Sequence, residues 1–281
     1  KEEQNFNNMW DIYISKTNIY MVSFSGLYIF PKDIINSTGK VKVIHPTGEQ
    51  PFHRGFLVNE EMYMREWNKG LMKLKGDKLE MVLGGEFFAD ERIYGMVPFG
   101  SDKILIASHT KGLFIYDGKA FKPWRTGLTP FLNKAEIYSV RLLSNKYYAL
   151  TTLNSGVLIL DLQGNPVQLI DQPKGLITNS IYYSYLDRNQ DLWFGGENGV
   201  SMLQVSLPIS TFNQKSGLEG VTNAVRLFGD NLYIATNQGL YFGNWTKQNN
   251  VLKLGAEFSL MKNSSGQTWE FTELDQKLYV G

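Results

Sequence analysis

Two signals recur together at one spacing, and they limit what this chain can fold into more than anything else in it. Short apolar strands that follow polar turns are centred at Tyr20, Tyr63, Leu105, Tyr148, Trp193, Tyr233 and Tyr279, at intervals of about 40–46 residues. All but the last are followed by a glycine and an aliphatic residue: Gly26-Leu27, Gly70-Leu71, Gly112-Leu113, Gly156-Val157, Gly199-Val200 and Gly239-Leu240. The third unit is the clearest. It reads as strands Ile93–Pro98, Ile104–Ser108, Leu113–Tyr116 and Phe121–Trp124, with polar turns at Gly100-Ser101-Asp102 and Thr110-Lys111-Gly112. The sixth unit repeats this as Val221–Phe228, Asn231–Thr236, Leu240–Gly243 and Val251–Leu254. Runs rich in aromatic and β-branched residues, bounded by Asn, Asp and Gly, are strand signals.

A module of four short strands in roughly 40–45 residues predicts a propeller blade. Such a sheet cannot bury both faces alone, so neighbouring modules must stack. The chain is therefore expected to be all-β, a β-propeller of four-stranded blades with seven repeats visible and the last incomplete. It reads as a single domain over 1–281, with blades near 5–50, 51–91, 92–134, 135–178, 179–219, 220–262 and a partial one at 263–281. The seventh unit stops at Gly281 before its glycine–aliphatic pair, which predicts a piece of a longer protein. Residues 130–136 predict one helical turn, and Asp33–Lys40 a polar loop within the first blade.

Composition agrees with this and excludes several functions. Aromatics make up 14% of the 281 residues and there are 27 Gly, which suits many short strands joined by tight turns. The net charge of +1 supplies no field for nucleic acid or an anionic membrane. With no cysteine there is neither a disulfide nor thiolate chemistry. No apolar run approaches the roughly 20 residues that span a bilayer. The start, Lys1-Glu2-Glu3-Gln4-Asn5, lacks both the apolar core of a signal peptide and an initiator Met, so a processed or trimmed chain is expected.

Within 172–205 the run Gly175-Leu176, Asn179, Ile181, Asp187, Leu192-Trp193-Phe194-Gly195 and Asn198-Gly199-Val200 resembles the two-component regulator propeller repeat. Looser matches lie at Gly217-Leu218 with Leu232-Tyr233-Ile234-Ala235-Thr236 and Gly239-Leu240, and at Gly127-Leu128, Ile104-Leu105-Ile106-Ala107 and Gly112-Leu113. Gln190 and Gly196 stand where the repeat usually has Gly and Thr. The resemblance implies the periplasmic sensory part of a large bacterial receptor. In that family two propellers and a small β-sandwich lead through a membrane helix to a histidine kinase or a helix-turn-helix output. On that basis the chain is expected to be a non-enzymatic module that detects a small molecule or oligosaccharide and contacts downstream sensor domains of the same receptor, with a homodimer in the full receptor and no nucleic-acid contact. The resemblance names no cofactor and no ligand, because the repeat is a structural motif.

Chemistry-bearing motifs are sparse. His45, His53 and His109 lack metal-ligand spacing. Glu60-Glu61, Asp90-Glu91 and Glu270 with Glu273 fall in or beside turns, where solvated charge is expected. No GxSxG elbow, P-loop or dinucleotide fingerprint occurs. Asn36-Ser37-Thr38, Asn244-Trp245-Thr246 and Asn263-Ser264-Ser265 match the glycosylation sequon, a cheap match in Asn-rich turns. Trp193 and the Tyr residues at its position are expected to pack between blades. Trp10, Trp67, Trp124, Trp245 and Trp269 lie elsewhere, and Trp67 is best placed to stack on a ligand.

Alternation of strand direction predicts that the loops between second and third strands share one rim. The candidate ligand residues there are Trp67, Asn68, His109, Thr110, Asn154, Glu197, Asn198, Asn237 and Gln238. The same residue types also favour tight turns, so a purely structural role competes. Two other functions stay open: a streptogramin-lyase-like propeller enzyme, with His109 as base beside a metal-binding Glu197, and a scaffold that binds only protein.

Overall fold

The computed structural model describes residues 8–33, 41–204, 212–244 and 258–281. The expected loop at 34–40, the first sequon, Trp245 and the expected strand Val251–Leu254 lie outside the described residues. The chain divides into two compact units, Lys1–Leu142 and Leu143–Gly281.

The first unit carries three antiparallel meanders of four strands. They are β1 (Met9–Ile14), β2 (Asn18–Ser23), β3 (Leu27–Pro31) and β4 (Lys42–Ile44); then β5 (Phe52–Val58), β6 (Glu61–Glu66), β7 (Gly70–Lys75) and β8 (Lys78–Met81); then β9 (Ile93–Phe99), β10 (Lys103–Ser108), β11 (Leu113–Tyr116) and β12 (Phe121–Pro123). A short helix α1 (Thr129–Ala135), with Pro130 in its first turn, falls where the helical turn is predicted. The division falls at the end of β13 (Ile137–Leu143).

Packing explains the sequence of the second strands. β6 is Glu-Met-Tyr-Met-Arg-Glu, buried at every position after the first, and β10 is buried in the same way. Both faces are covered, so neither strand shows the polar–apolar alternation of a half-solvated sheet. Met62 and Met64 face a cluster with Tyr20, Val22, Leu27 and Ile29 of the first sheet. Tyr63 and Leu71 face the opposite way, into a second cluster with Ile93, Ile104, Ile106 and Phe114 of the third sheet.

In the second unit, β14 (Tyr147–Thr152), β15 (Val157–Asp161) and β16 (Pro166–Ile170) pair in order. β17 (Ile181–Leu186), β18 (Leu192–Gly196) and β19 (Gly199–Leu203) form a three-stranded sheet. β20 (Thr222–Phe228), β21 (Asn231–Thr236), β22 (Gly239–Asn244) and β23 (Ser259–Ser265) form a four-stranded one, and β24 (Phe271–Leu274) pairs with β25 (Lys277–Val280). The fold is all-β, built of blade-like antiparallel meanders.

Three packing expectations need correction, and the simplest is Tyr279, which is exposed. Thr151 pairs with Val157 as Arg65 pairs with Leu71, so Ala149, and not Tyr148, holds the position equivalent to Tyr63. Tyr148 is buried on the other face of its strand, since one residue of register reverses the face. Trp193 is 39% exposed. Its neighbours Leu192 and Phe194 point into a cluster with Ala149, Val157 and Ile159, leaving the indole on the opposite face with Nε1–H donating to Asp187 Oδ2 at 2.9 Å.

The recurrent glycine has a physical cause at Gly70. Its φ of 116° lies outside the range of ordinary L residues, and a Cβ there would collide with the Gly85 carbonyl. Gly70→Ala should therefore cost about 2–3 kcal/mol. Gly76→Ala, at φ 55° with open space around it, should cost only about 1 kcal/mol. Urea unfolding of both variants checks the difference.

Candidate functional site

The first strand of each sheet in the first unit contains a bulge near its start. Pairing slips between Met9 and Asp11 in β1 and between Phe52 and Arg54 in β5, and β9 slips in the same way between Ile93 and Gly95. The residues left over are Trp10, His53 and Tyr94. A bulge bends its strand and re-aims a side chain, which is why such features gather beside binding sites.

His53 and Tyr94 are brought together in this way, with ring centroids 5.3 Å apart. Tyr94 stacks on Tyr138, the second residue of β13, at 4.3 Å and meets His109 edge-on at 5.2 Å. His53 in turn meets Trp67 at 5.5 Å. The result is a continuous cluster of half-buried rings, Trp67–His53–Tyr94 with His109 and Tyr138.

Cations surround these rings. The Arg54 guanidinium lies 5.4 Å from the Tyr94 centroid and 5.9 Å from that of Tyr138, and its Nε donates to Asp11 Oδ2 at 3.3 Å. Arg65 is fully buried and stacks 3.6 Å from the Trp67 centroid, and Arg92 lies 5.7 Å from it. Arg65 donates from Nε and Nη2 to the carbonyls of Phe88 and Ala89. Guanidinium over an indole face is a favourable electrostatic arrangement, worth more when water is excluded.

Electrostatics follow from burial and from these neighbours. Desolvation first, then the fields of Arg65, Arg54 and Arg92, lower the His53 pKa to about 3, so the imidazole is neutral at physiological pH. Burial raises the Asp11 carboxyl, against the opposing pull of Arg54. Burial also raises the Tyr94 phenol, with Tyr138 adding to the effect. Ring faces, hydroxyls and fixed cations can bind and orient a ligand. Among the described residues no three His, Asp or Glu side chains are grouped to hold a metal ion.

The residues singled out by sequence separate into two sets. Trp67 and His109 belong to the cluster. Asn68 is exposed, at φ 60°, and its N–H donates to the Ala89 carbonyl. Thr110 turns its N–H and hydroxyl onto Glu91, at 2.8 and 3.0 Å. Glu91 is buried, whereas its place beside a turn predicted a solvated charge. Asn154 is exposed and its Oδ1 accepts from the Ser155 hydroxyl. Asn237 Oδ1 caps the Val221 N–H at 2.7 Å, while the Gln238 N–H donates to Thr236 Oγ1. Glu197 and Asn198 are exposed in the β18–β19 turn of the second unit, and the Glu197 N–H donates to the Ser180 carbonyl. His53, Arg54, Tyr94 and Tyr138 were not singled out by sequence. The signal was present: Trp10, His53, Tyr94, Tyr138, Tyr182 and Asn223 are the second residues of successive first strands and recur at the repeat's own spacing.

No protein-family model and no curated protein matches the chain. Solved structures do. The extracellular domain of the proposed hybrid two component system BT3049 from B. thetaiotaomicron matches with a TM-score of 0.58 at 19% identity, over 98% of this chain and 43% of that one. The corresponding domain of the proposed one component system BT4673 from the same organism matches with a TM-score of 0.56 at 15% identity, over 100% and 39%. This chain has their fold. PorZ, a surface component of the type-IX secretion system of Porphyromonas gingivalis, also shares it, with a TM-score of 0.51 at 13% identity over 98% and 45%. The chain thus spans less than half the length of each of these structures.

Two clefts open at the other end of the strands. One, of ≈ 420 Å³, lies between the first and second sheets, and another, of ≈ 490 Å³, between the second and third. Their charged walls are paired internally, as Lys73 with Glu61 at 2.6 Å and Lys75 with Glu80 at 2.8 Å.

The depressed His53 pKa has a consequence for stability. The unfolded chain binds a proton at this position below about pH 6.5 that the folded chain refuses until about pH 3. The contribution is therefore complete above pH 6.5 and is lost as pH falls through that window. Urea melts at pH 7 and 5.5 should show a loss of about 1 kcal/mol from this group, absent from the corresponding difference for His53→Gln.

Proposed function

We propose that this chain is a ligand-sensing module of a bacterial signalling receptor, exposed outside the cytoplasm and in the periplasm, and that the Trp67–His53–Tyr94–His109–Tyr138 cluster is its binding surface. The observation that carries the reading is the cluster itself. Five half-buried rings from different strands and turns converge beside three arginines. Ring faces with directional donors around them suit the apolar face and hydroxyl rim of a sugar, so an oligosaccharide is the proposed ligand. The likeness to extracellular domains of proposed one- and two-component systems supports a sensory role. Signalling would require the ligand to favour one of two receptor states, transmitted through further sensor domains of the same receptor or across a homodimer. The module itself is proposed to be non-enzymatic.

A second reading, protein contact, rests on a separate observation. Tyr183, Tyr185, Trp193, Val200 and Met202 form an exposed apolar face on the β17–β19 sheet. Exposed apolar area of this kind commonly marks a protein interface, which is compatible with packing against neighbouring receptor domains.

A thermal-shift screen against neutral and acidic oligosaccharides at millimolar concentration checks the first reading. A ligand should raise the midpoint by about 2–4 °C, and Trp67→Ala should abolish that rise. Flat shifts across the whole panel would count against ligand sensing at this cluster.

A further inference from the structure

The hydrogen-bonding groups of the ring cluster are unbalanced. Arg54 engages Asp11 through Nε, and its two terminal nitrogens have no protein partner among the described residues. Arg65 is buried and bonded at Nε and Nη2, but its Nη1 has no partner, and neither does the buried Nδ1 of His53. The Arg92 guanidinium meets the Trp67 ring without a side-chain hydrogen bond among the described residues. Two of the acidic groups nearby are already engaged, while the exposed Asp90 lies close enough for its charge to act on Arg65. Asp11 accepts from Arg54 and feels Arg141, while Glu91 is occupied by Thr110. A buried polar atom without a partner costs about 1–3 kcal/mol, more when charged, so the Arg65 Nη1 marks a place where an acceptor is missing.

Geometry narrows the acceptor. The terminal nitrogens of a guanidinium are coplanar and match the two oxygens of a carboxylate. Arg54 carries its pair above the stacked Tyr94 and Tyr138 rings, on the same cluster in which His53 links Tyr94 to Trp67. Resting on the ligand-binding reading of this cluster, we propose that the ligand is a ring compound carrying a carboxylate. Arg54 takes the carboxylate through its terminal nitrogens, and the ring lies against the aromatic cluster. The same chemistry is found in uronate saccharides and in aromatic acids.

Isothermal titration of the purified chain with a galacturonate trimer, a galactose trimer and benzoate tests this. The acidic saccharide should bind at least about tenfold tighter than the neutral one, and raising NaCl from about 50 to 500 mM should erode that preference. Arg54→Gln should bring the acidic trimer down to the neutral one's affinity, with circular dichroism showing that the variant is folded. If Arg54→Gln does not fold, the acidic-to-neutral ratio and the salt response of the parent decide the matter alone. Binding of benzoate alone upholds the carboxylate and assigns it to an aromatic acid. Equal affinities for the two trimers overturn the carboxylate and leave the ligand-binding reading standing. Silence from all three probes overturns both.

Discussion

Face-to-face burial of small sheets is the constraint on which the rest of this protein depends. A meander of four short strands has two apolar faces, and one left in water would not be stable by itself. The second sheet shows the solution. Met62 and Met64 are buried against the first sheet, while Tyr63 and Leu71 are buried against the third. Each such side chain contributes about 1.5–3 kcal/mol by leaving water, so covering a face is worth far more than any surface ion pair. That dominance fixes the register of every strand, because a slip of one residue would exchange the two faces.

Register, once fixed, positions the chemistry. The bulges in β1, β5 and β9 are tolerated because the rows of buried residues beyond them hold the strands in place. The extra residue in each is thereby turned out of the ladder, and His53 and Tyr94 meet although they are 41 positions apart in the chain. The same packing holds Arg65 in full burial, against the carbonyls of Phe88 and Ala89 and the face of Trp67. A buried guanidinium is costly unless its donors are met. Its carbonyl contacts and the indole offset part of that cost, and its field is one reason His53 remains neutral.

The fold was largely legible because its signals are local and repeated. In the third unit, strands read at Ile93–Pro98, Ile104–Ser108 and Leu113–Tyr116 correspond to β9, β10 and β11 within a residue or so at each end. Of the residues of the proposed site, only Trp67 and His109 were singled out by sequence. Glycine, asparagine and threonine in the β6–β7 and β10–β11 turns look the same whether they bind a ligand or close a turn. Thr110 and Asn237 satisfy neighbouring groups of their own chain. Of the residues that complete the cluster, Tyr94 lay in a strand read without a site and His53 was read only as lacking metal-ligand spacing, and a bulge has no sequence signature strong enough to reveal that His53 and Tyr94 leave the ladder.

By itself, then, the sequence determined the repeat, the strand order within each unit and the places where only glycine fits, because these depend on residue spacing and backbone sterics over a few positions. Tertiary structure alone decided which face each side chain takes. It buried Ala149 in the position expected of Tyr148 and left Trp193 partly in water. It also decided that Asp11, Arg54, Trp67, Tyr94, His109 and Tyr138 share one place. Those contacts join residues far apart in the chain, and they arise from how sheets stack, which local pattern does not encode.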